Sequence, residues 1–277
     1  KKLVAKSQSL GRDIVLHIEA HANDVVAQKQ YILTSEESKL WRQLNAKCIL
    51  GFESVDDFSR NTLYNKFLQL DKFEEAVSIL KNAGIEPGAF VFSGLITHTN
   101  IEAKEDMLNS VKYLKNLGVF PVLMFANCQS YTIPDLLIQT GNSKLLEPYT
   151  VLDTIYEAMQ ILTSNGKEDS GYYLVPEPVD GPPYPESNIF FGRKDLTGLT
   201  PIDSYLAHEI LDDFRTNRDI NSFLNKWDNF RNNSVHNYRG YTTRMKNEDT
   251  QKDTQIHRLE KVLQAVAKHY NDYISNR

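Results

Sequence analysis

The sequence predicts an α/β fold: a parallel sheet assembled from strand–helix units, with a helical extension behind it. Three observations carry this. Apolar runs and amphipathic runs alternate through the first half with a period of roughly 33–40 residues, the length of one unit of a parallel sheet. The strand runs are apolar throughout rather than alternating, as strands covered on both faces should be. After residue 130 the strand pattern stops and helical spacing continues.

Asp13 to Glu19 reads as the first strand. Thr34-Ser35-Glu36-Glu37 has the form of a capping box and starts a helix through Leu40, Trp41 and Leu44. Lys47 to Phe52 is the second strand. Asp71-Lys72-Phe73-Glu74 opens a helix with Phe73, Ala76, Val77 and Leu80 on one face, and Asn82-Ala83-Gly84 stops it. Gly88 to Leu95 is the third strand. Ile101 to Leu117 is a helix with Met107, Val111 and Leu114 at helical spacing, ended by Gly118, and Val119 to Phe125 is the fourth strand. Ile133–Gln139, Thr150–Leu162, Pro201–Phe214, Ile220–Phe230 and Gln251–Ile274 read as helices. Residues 172–193, rich in Pro and Gly, read as an extended segment on the surface or over a site mouth. The expected organisation is a sheet domain over residues 1–130 and a helical C-terminal extension over 131–277. Four units do not close an eight-stranded barrel, so either the sheet is open or earlier strands lie upstream of Lys1. The chain opens without Met, and Leu3-Val4-Ala5 resembles a helix end running straight into a strand, which favours the second expectation.

With 277 residues, 41% hydrophobic and 24% charged, the chain has the composition of a soluble globular protein with ample core. No apolar run approaches the roughly 20 residues of a membrane span. A net charge of −5 argues against a broadly basic nucleic-acid surface. The two cysteines, Cys48 and Cys128, each sit in or just after a strand run and read as buried thiols, which excludes a disulfide scaffold and points to a cytoplasmic protein. There is no Walker-type glycine loop, no zinc-ligand spacing and no Gly-x-Ser-x-Gly turn.

The stretch from Ile49 to Asp57 is the most telling. An apolar run that stops at Gly51-Phe52-Glu53-Ser54 puts a carboxylate and a hydroxyl at the carboxyl end of a strand, where α/β sheets bind ligands. Glu19, His21 and His98 also fall near strand ends. Each has an ordinary alternative: a carboxylate there also caps the following helix, Ser54 before Asp56-Asp57 also caps, strand-end glycines also mark turns, and a single histidine is often just hydrogen-bonded. Between Lys226 and Lys246, five basic residues are interleaved with Trp227, Phe230, His236, Tyr238 and Tyr241. Such a stretch either contacts RNA or packs its rings on the domain. The periodic apolar residues from Leu259 to Tyr270 are expected to pack on the domain rather than on a partner helix.

Taken in order, Ile14 to His21, then Gly51-Phe52-Glu53-Ser54, then Gly88 to Leu95, resemble the latter two-thirds of the radical S-adenosylmethionine enzyme core over roughly residues 10–130. Within that superfamily the elongator/coproporphyrinogen-oxidase-like group and the archaeosine-type RNA-modifying proteins are the most similar. The resemblance implies a partial (β/α) TIM-type barrel of parallel strands. It also implies S-adenosylmethionine and a [4Fe–4S] cluster as cofactors, a 5′-deoxyadenosyl radical that abstracts hydrogen from substrate, and an electron donor such as flavodoxin or ferredoxin. By resemblance Glu19 binds the methionyl ammonium, and Glu53 and Ser54 reach the ribose or methionyl groups. Gly88 and Gly94 admit the adenosyl moiety beside Phe92 or Leu95, while His21 and His98 contact a substrate, whether small molecule, RNA or peptide.

The departure from the family pattern is sharp. Its cluster is held by Cys-x-x-x-Cys-x-x-Cys in one short loop, and two cysteines 80 positions apart do not replace that. The cluster ligands are therefore expected upstream of Lys1. The alternatives are a cluster-free barrel-like protein that binds a nucleotide-like ligand or a partner subunit, and an aldolase-like barrel, for which no Schiff-base lysine stands out.

Overall fold

The computed structural model describes residues 16–94, 97–126, 133–141, 146–163 and most of 209–275. The fold is α/β, with a four-stranded parallel sheet and many helices, as a partial β/α barrel has. The strands are β1 (His17–Ala20), β2 (Lys47–Glu53), β3 (Glu86–Ser93) and β4 (Phe120–Phe125). They lie in the order β1-β2-β3-β4, each beside its predecessor. That sequential order is the winding of a (β/α) barrel, since a doubly wound sheet reverses direction at a switch point. His17 lies opposite Lys47 and Ala20 opposite Leu50; Lys47 lies opposite Glu86 and Gly51 opposite Phe90.

Between β1 and β2 run three short helices, α1 (Ala22–Ala27), α2 (Lys29–Thr34) and α3 (Glu36–Gln43). The first two escape a periodicity reading because six residues are under two turns. Ser35 caps α3, its Oγ accepting the Ser38 amide at 3.1 Å. A short π-helical turn, Phe58–Leu63, follows β2 and leads to α4 (Leu70–Asn82). That helix starts one residue before Asp71, which lies in its first turn, and it ends at Gly84 with φ +70°. Helix α5 (Asn100–Asn116) precedes β4. Then come α6 (Ile133–Gln139), α7 (Pro148–Thr163), α8 (Ile220–Asn233), α9 (Val235–Asp249) and α10 (Gln255–Ser275). The Pro-rich segment lies outside the described residues, as do Cys128 and most of the helix expected at 201–214.

The chain forms two compact units. In the first, which holds the described residues up to Phe92 and Asn109–Met124, one face of the sheet packs on helices. Phe52 is fully buried, 4.5 Å from the Phe73 ring of α4 and stacked at 5.7 Å on Tyr113 of α5. Burying a side chain of this size stabilises by about 1.5–3 kcal/mol. Because strand side chains alternate, the opposite face carries Glu19, Ile49, Gly51 and Phe90, and there Ile49, Phe120 and Val122 cluster with Phe90. At the amino end of this face Lys47, only 8% exposed, lies 5.2 Å above the Phe120 ring and 3.0 Å from Glu86.

The second unit holds Ser93–Leu108, Phe125–Gln160 and the later helices. Its core is aromatic: Tyr149 of α7 contacts Trp227 and Phe230 of α8 and Tyr238 and Tyr241 of α9 at 5.4–6.3 Å between centroids. Asp153, buried beneath them, accepts hydrogen bonds from Trp227 Nε1 at 3.0 Å and the Tyr238 hydroxyl at 2.8 Å.

Candidate functional site

The carboxyl end of β2 is locally strained. Glu53 sits at a bulge, where the register with β3 shifts, and its φ is +68°. A left-handed backbone costs a non-glycine residue about 1–2 kcal/mol and persists only where its surroundings hold it. Arg60 does the holding. Its guanidinium, 1% exposed, donates to the carbonyls of Ser54 (3.0 Å), Val55 (2.9 Å) and Leu68 (2.7 Å) and to Asp57 (2.8 Å). Every neighbour is an acceptor, so the buried charge is matched by hydrogen bonds.

Ser54 is fully buried and its Oγ accepts the Asp56 amide at 2.9 Å, which makes it a turn-former. Glu53 turns back above Gly51 and accepts a hydrogen bond from Lys66 Nζ at 2.6 Å. A Cβ at Gly51 would lie 3.2 Å from that Nζ, so glycine leaves room for the pair.

The segment carrying Lys66 gathers three of the sequence-predicted residues. Lys66 Nζ holds Glu53. The Lys66 carbonyl lies 3.2 Å from His21 Nε2, while His21 Nδ1 accepts the Asn23 amide at 3.2 Å and so caps α1. With Nδ1 accepting, Nε2 is the ring nitrogen placed to donate to that carbonyl. Two residues earlier, the Tyr64 hydroxyl donates to the Phe92 carbonyl at 2.9 Å and its ring meets Phe92 edge-on at 5.5 Å. Asn65 and Phe67 both have positive φ, and Phe67 stands 74% exposed. Glu19, opposite Ile49 on the same face of the sheet as Gly51, is exposed.

Gly88 and Gly94 are filled by the protein itself. A Cβ at Gly88 would lie 2.2 Å from the Phe120 ring. Gly94, at φ +93°, has Leu146 and Ala126 at 2.9 and 3.2 Å from such a Cβ. His98 belongs to the second unit, and Leu95 lies outside the described residues. Tyr64, Lys66 and Arg60 escape a sequence reading. The one available signal for Arg60 was a lone cation just after Asp56-Asp57.

In the basic and aromatic stretch of α8 and α9 the large rings are turned inward, while Arg239, Arg244 and Lys246 are exposed. Trp227, Phe230 and Tyr241 are at most 6% exposed. Lys226 pairs with Asp213, Arg244 with Glu147, and Arg231 with Asp228 while lying 4.4 Å over the Tyr156 ring. Rings packed on one another are not available to stack on bases.

A [4Fe–4S] cluster does not fit this donor set. The chain has two cysteines. Burial pushes the Cys48 thiol up to about 11, so it is a neutral core group and not a thiolate ligand. Among the described residues no three His, Cys, Asp or Glu side chains are grouped to hold a metal ion. No described helix is long and apolar enough to cross a membrane.

No family model matches the chain, and no curated protein does. Among solved structures, an N-terminally deleted (1–46) Elp3 from the archaeon Methanocaldococcus infernus aligns at 18% identity with a TM-score of 0.38. The alignment covers 54% of this chain and 33% of that one, so this chain matches about a third of that protein's length. A likeness at this level carries no inference about activity.

Proposed function

We propose that the carboxyl edge of β1 and β2 receives the amino-acid end of S-adenosylmethionine, in a barrel of the radical S-adenosylmethionine type to which this chain contributes ligand-binding residues and no cluster ligands. The observation that carries the reading is the Lys66–Glu53 pair at 2.6 Å, held on a strained strand end with Glu19 on the neighbouring strand. A zwitterionic amino acid is complementary to an opened ion pair, since its carboxylate takes the lysine and its ammonium takes the glutamate. Glu19, already exposed, offers a second carboxylate to the ammonium or the sulfonium. Radical formation needs three closely spaced thiolates, so this reading assigns the chain binding and no electron-transfer step.

The test is calorimetric titration of the chain with S-adenosylmethionine, beside iron analysis after anaerobic reconstitution. The expected result is binding without iron, weakened about tenfold (near 1.4 kcal/mol) in both Glu53→Gln and Glu19→Gln. No binding by a chain whose circular dichroism is native ends this reading.

A second reading is favoured by the way Phe120 fills Gly88 and Leu146 fills Gly94. It takes the chain as a cluster-free barrel-like protein that binds a partner subunit without catalysis, since side chains occupy the space that a nucleotide-like ligand would need at those glycines.

A further inference from the structure

Helix α10 has two distinct faces. One is anchored in the second unit: Val262 is 5% exposed, α10 packs against α6, and the Arg258 guanidinium donates to the Thr97 carbonyl and to Glu102, each at 2.6 Å. The other face carries large apolar side chains in water. Ile256, Leu263, Tyr270 and Ile274 are 59%, 58%, 62% and 52% exposed. Such residues scattered singly mean little, but these are ordered. Ile256, Glu260, Leu263, Ala267, Tyr270 and Ile274 follow one another at spacings of four and three, and all six are exposed. That is the alternating spacing of a coiled-coil seam, widened on one flank by Leu259, Val266 and Tyr273. It runs along a helix of 21 residues, about 31 Å long.

We propose that this seam pairs with the same helix of a second copy of the chain, in antiparallel orientation. The charge pattern selects both the partner and the direction. Glu260 is the one charged residue of the seam. A parallel pair would set Glu260 against Glu260 of the second copy, two like charges within an apolar strip. An antiparallel pair centred between Leu263 and Ala267 sets Glu260 against Tyr270 of the second copy, whose hydroxyl donates to the carboxylate. The two-fold axis repeats that bond. In the same register Ile256 meets Ile274, and the large Leu263 meets the small Ala267, so the layers interdigitate. The flanking positions are His257, Gln264 and Asn271 on one side and Leu259, Val266 and Tyr273 on the other. None is Lys, Arg, Asp or Glu, so the approach of two copies meets no repulsion from those residues.

Sedimentation velocity on the whole chain at about 100 μM gives the first readout, since mass action favours the dimer there. The expected species has twice the 31.8 kDa chain mass, and Leu263→Asp returns it to the single mass with an unchanged far-ultraviolet spectrum. Orientation is read by mixing Ile256→Cys and Ile274→Cys chains under mild oxidation. Mixed 256–274 disulfides are expected, and 256–256 disulfides would overturn the antiparallel pairing. A monomer at this concentration overturns the proposal. If that monomer floats with phosphatidylcholine–phosphatidylglycerol vesicles, and Leu263→Asp does not, the face belongs to a bilayer instead.

Discussion

Lys66 and Glu53 form a 2.6 Å ion pair directly above the bare backbone of Gly51, with the glutamate 8% exposed and held at positive φ. Removing the cation strands a carboxylate that is largely out of water. Lys66→Met is expected to lower stability by about 1–3 kcal/mol, read as a shift in urea midpoint at constant slope. Gly51→Ala tests the same geometry, because its methyl group presses on Nζ at 3.2 Å. An unaltered midpoint in both variants would show that the pair holds nothing in place.

Gly88 admits Phe120. Gly88→Ala places a methyl 2.2 Å from the ring and is expected to cost about 1–3 kcal/mol through repacking of the Ile49–Val122 cluster. Phe120→Leu should recover part of that loss in the double variant. Purely additive costs would mean the two residues do not meet.

Asp153 supplies a pH dependence. Burial raises its pKa above the usual carboxylate value, against the lowering effects of the Tyr238 and Trp227 hydrogen bonds and of Lys104 and Arg231. A raised folded pKa means that the native state holds this proton more tightly than the unfolded chain. Its contribution is therefore complete below about pH 3.9 and declines as pH rises through the folded value. In Asp153→Asn that decline should vanish from the urea midpoint measured across acidic pH. Asp153→Ala, which deprives a buried indole N–H and a phenol of their acceptor, should cost about 2 kcal/mol or more at neutral pH.

Cys48 lies in β2 with its thiol pushed up to about 11 by burial. It should resist iodoacetamide at neutral pH and be alkylated only after unfolding, as read from the mass of the peptide that carries it. Alkylation of the native chain would remove the argument that this thiol is a core group.

The strands and long helices were legible because their signals are local. β2 was expected to begin at Lys47 and does; α6 spans the expected Ile133–Gln139; the helix expected from Ile101 begins at Asn100 and closes at Gly118. The candidate site was legible only in part. Glu19, His21 and Glu53 fall near the carboxyl edge because strand ends are visible in sequence. What each one touches was not visible, because Tyr64 and Lys66 approach from a segment with no periodicity, bent by two positive-φ residues. For Lys226–Lys246 both readings had the same composition, and only the burial of Trp227 and Tyr241 separates a packed core from a stacking face.

By itself the sequence determined an α/β chain of strand–helix units, the helices at Ile133–Gln139, Pro148–Thr163 and Ile220–Asn233 to within a few residues, and a cysteine count too small for a cluster. These follow from side-chain periodicity and composition, which act over a few residues at a time. Tertiary structure decided that the strands lie in sequential order, that Phe120 occupies the space at Gly88, and that Glu53 faces Lys66. It also left one face of α10 in water. Those outcomes depend on which surfaces meet across tens of residues, and helical spacing alone does not distinguish a stripe that is buried from one left exposed.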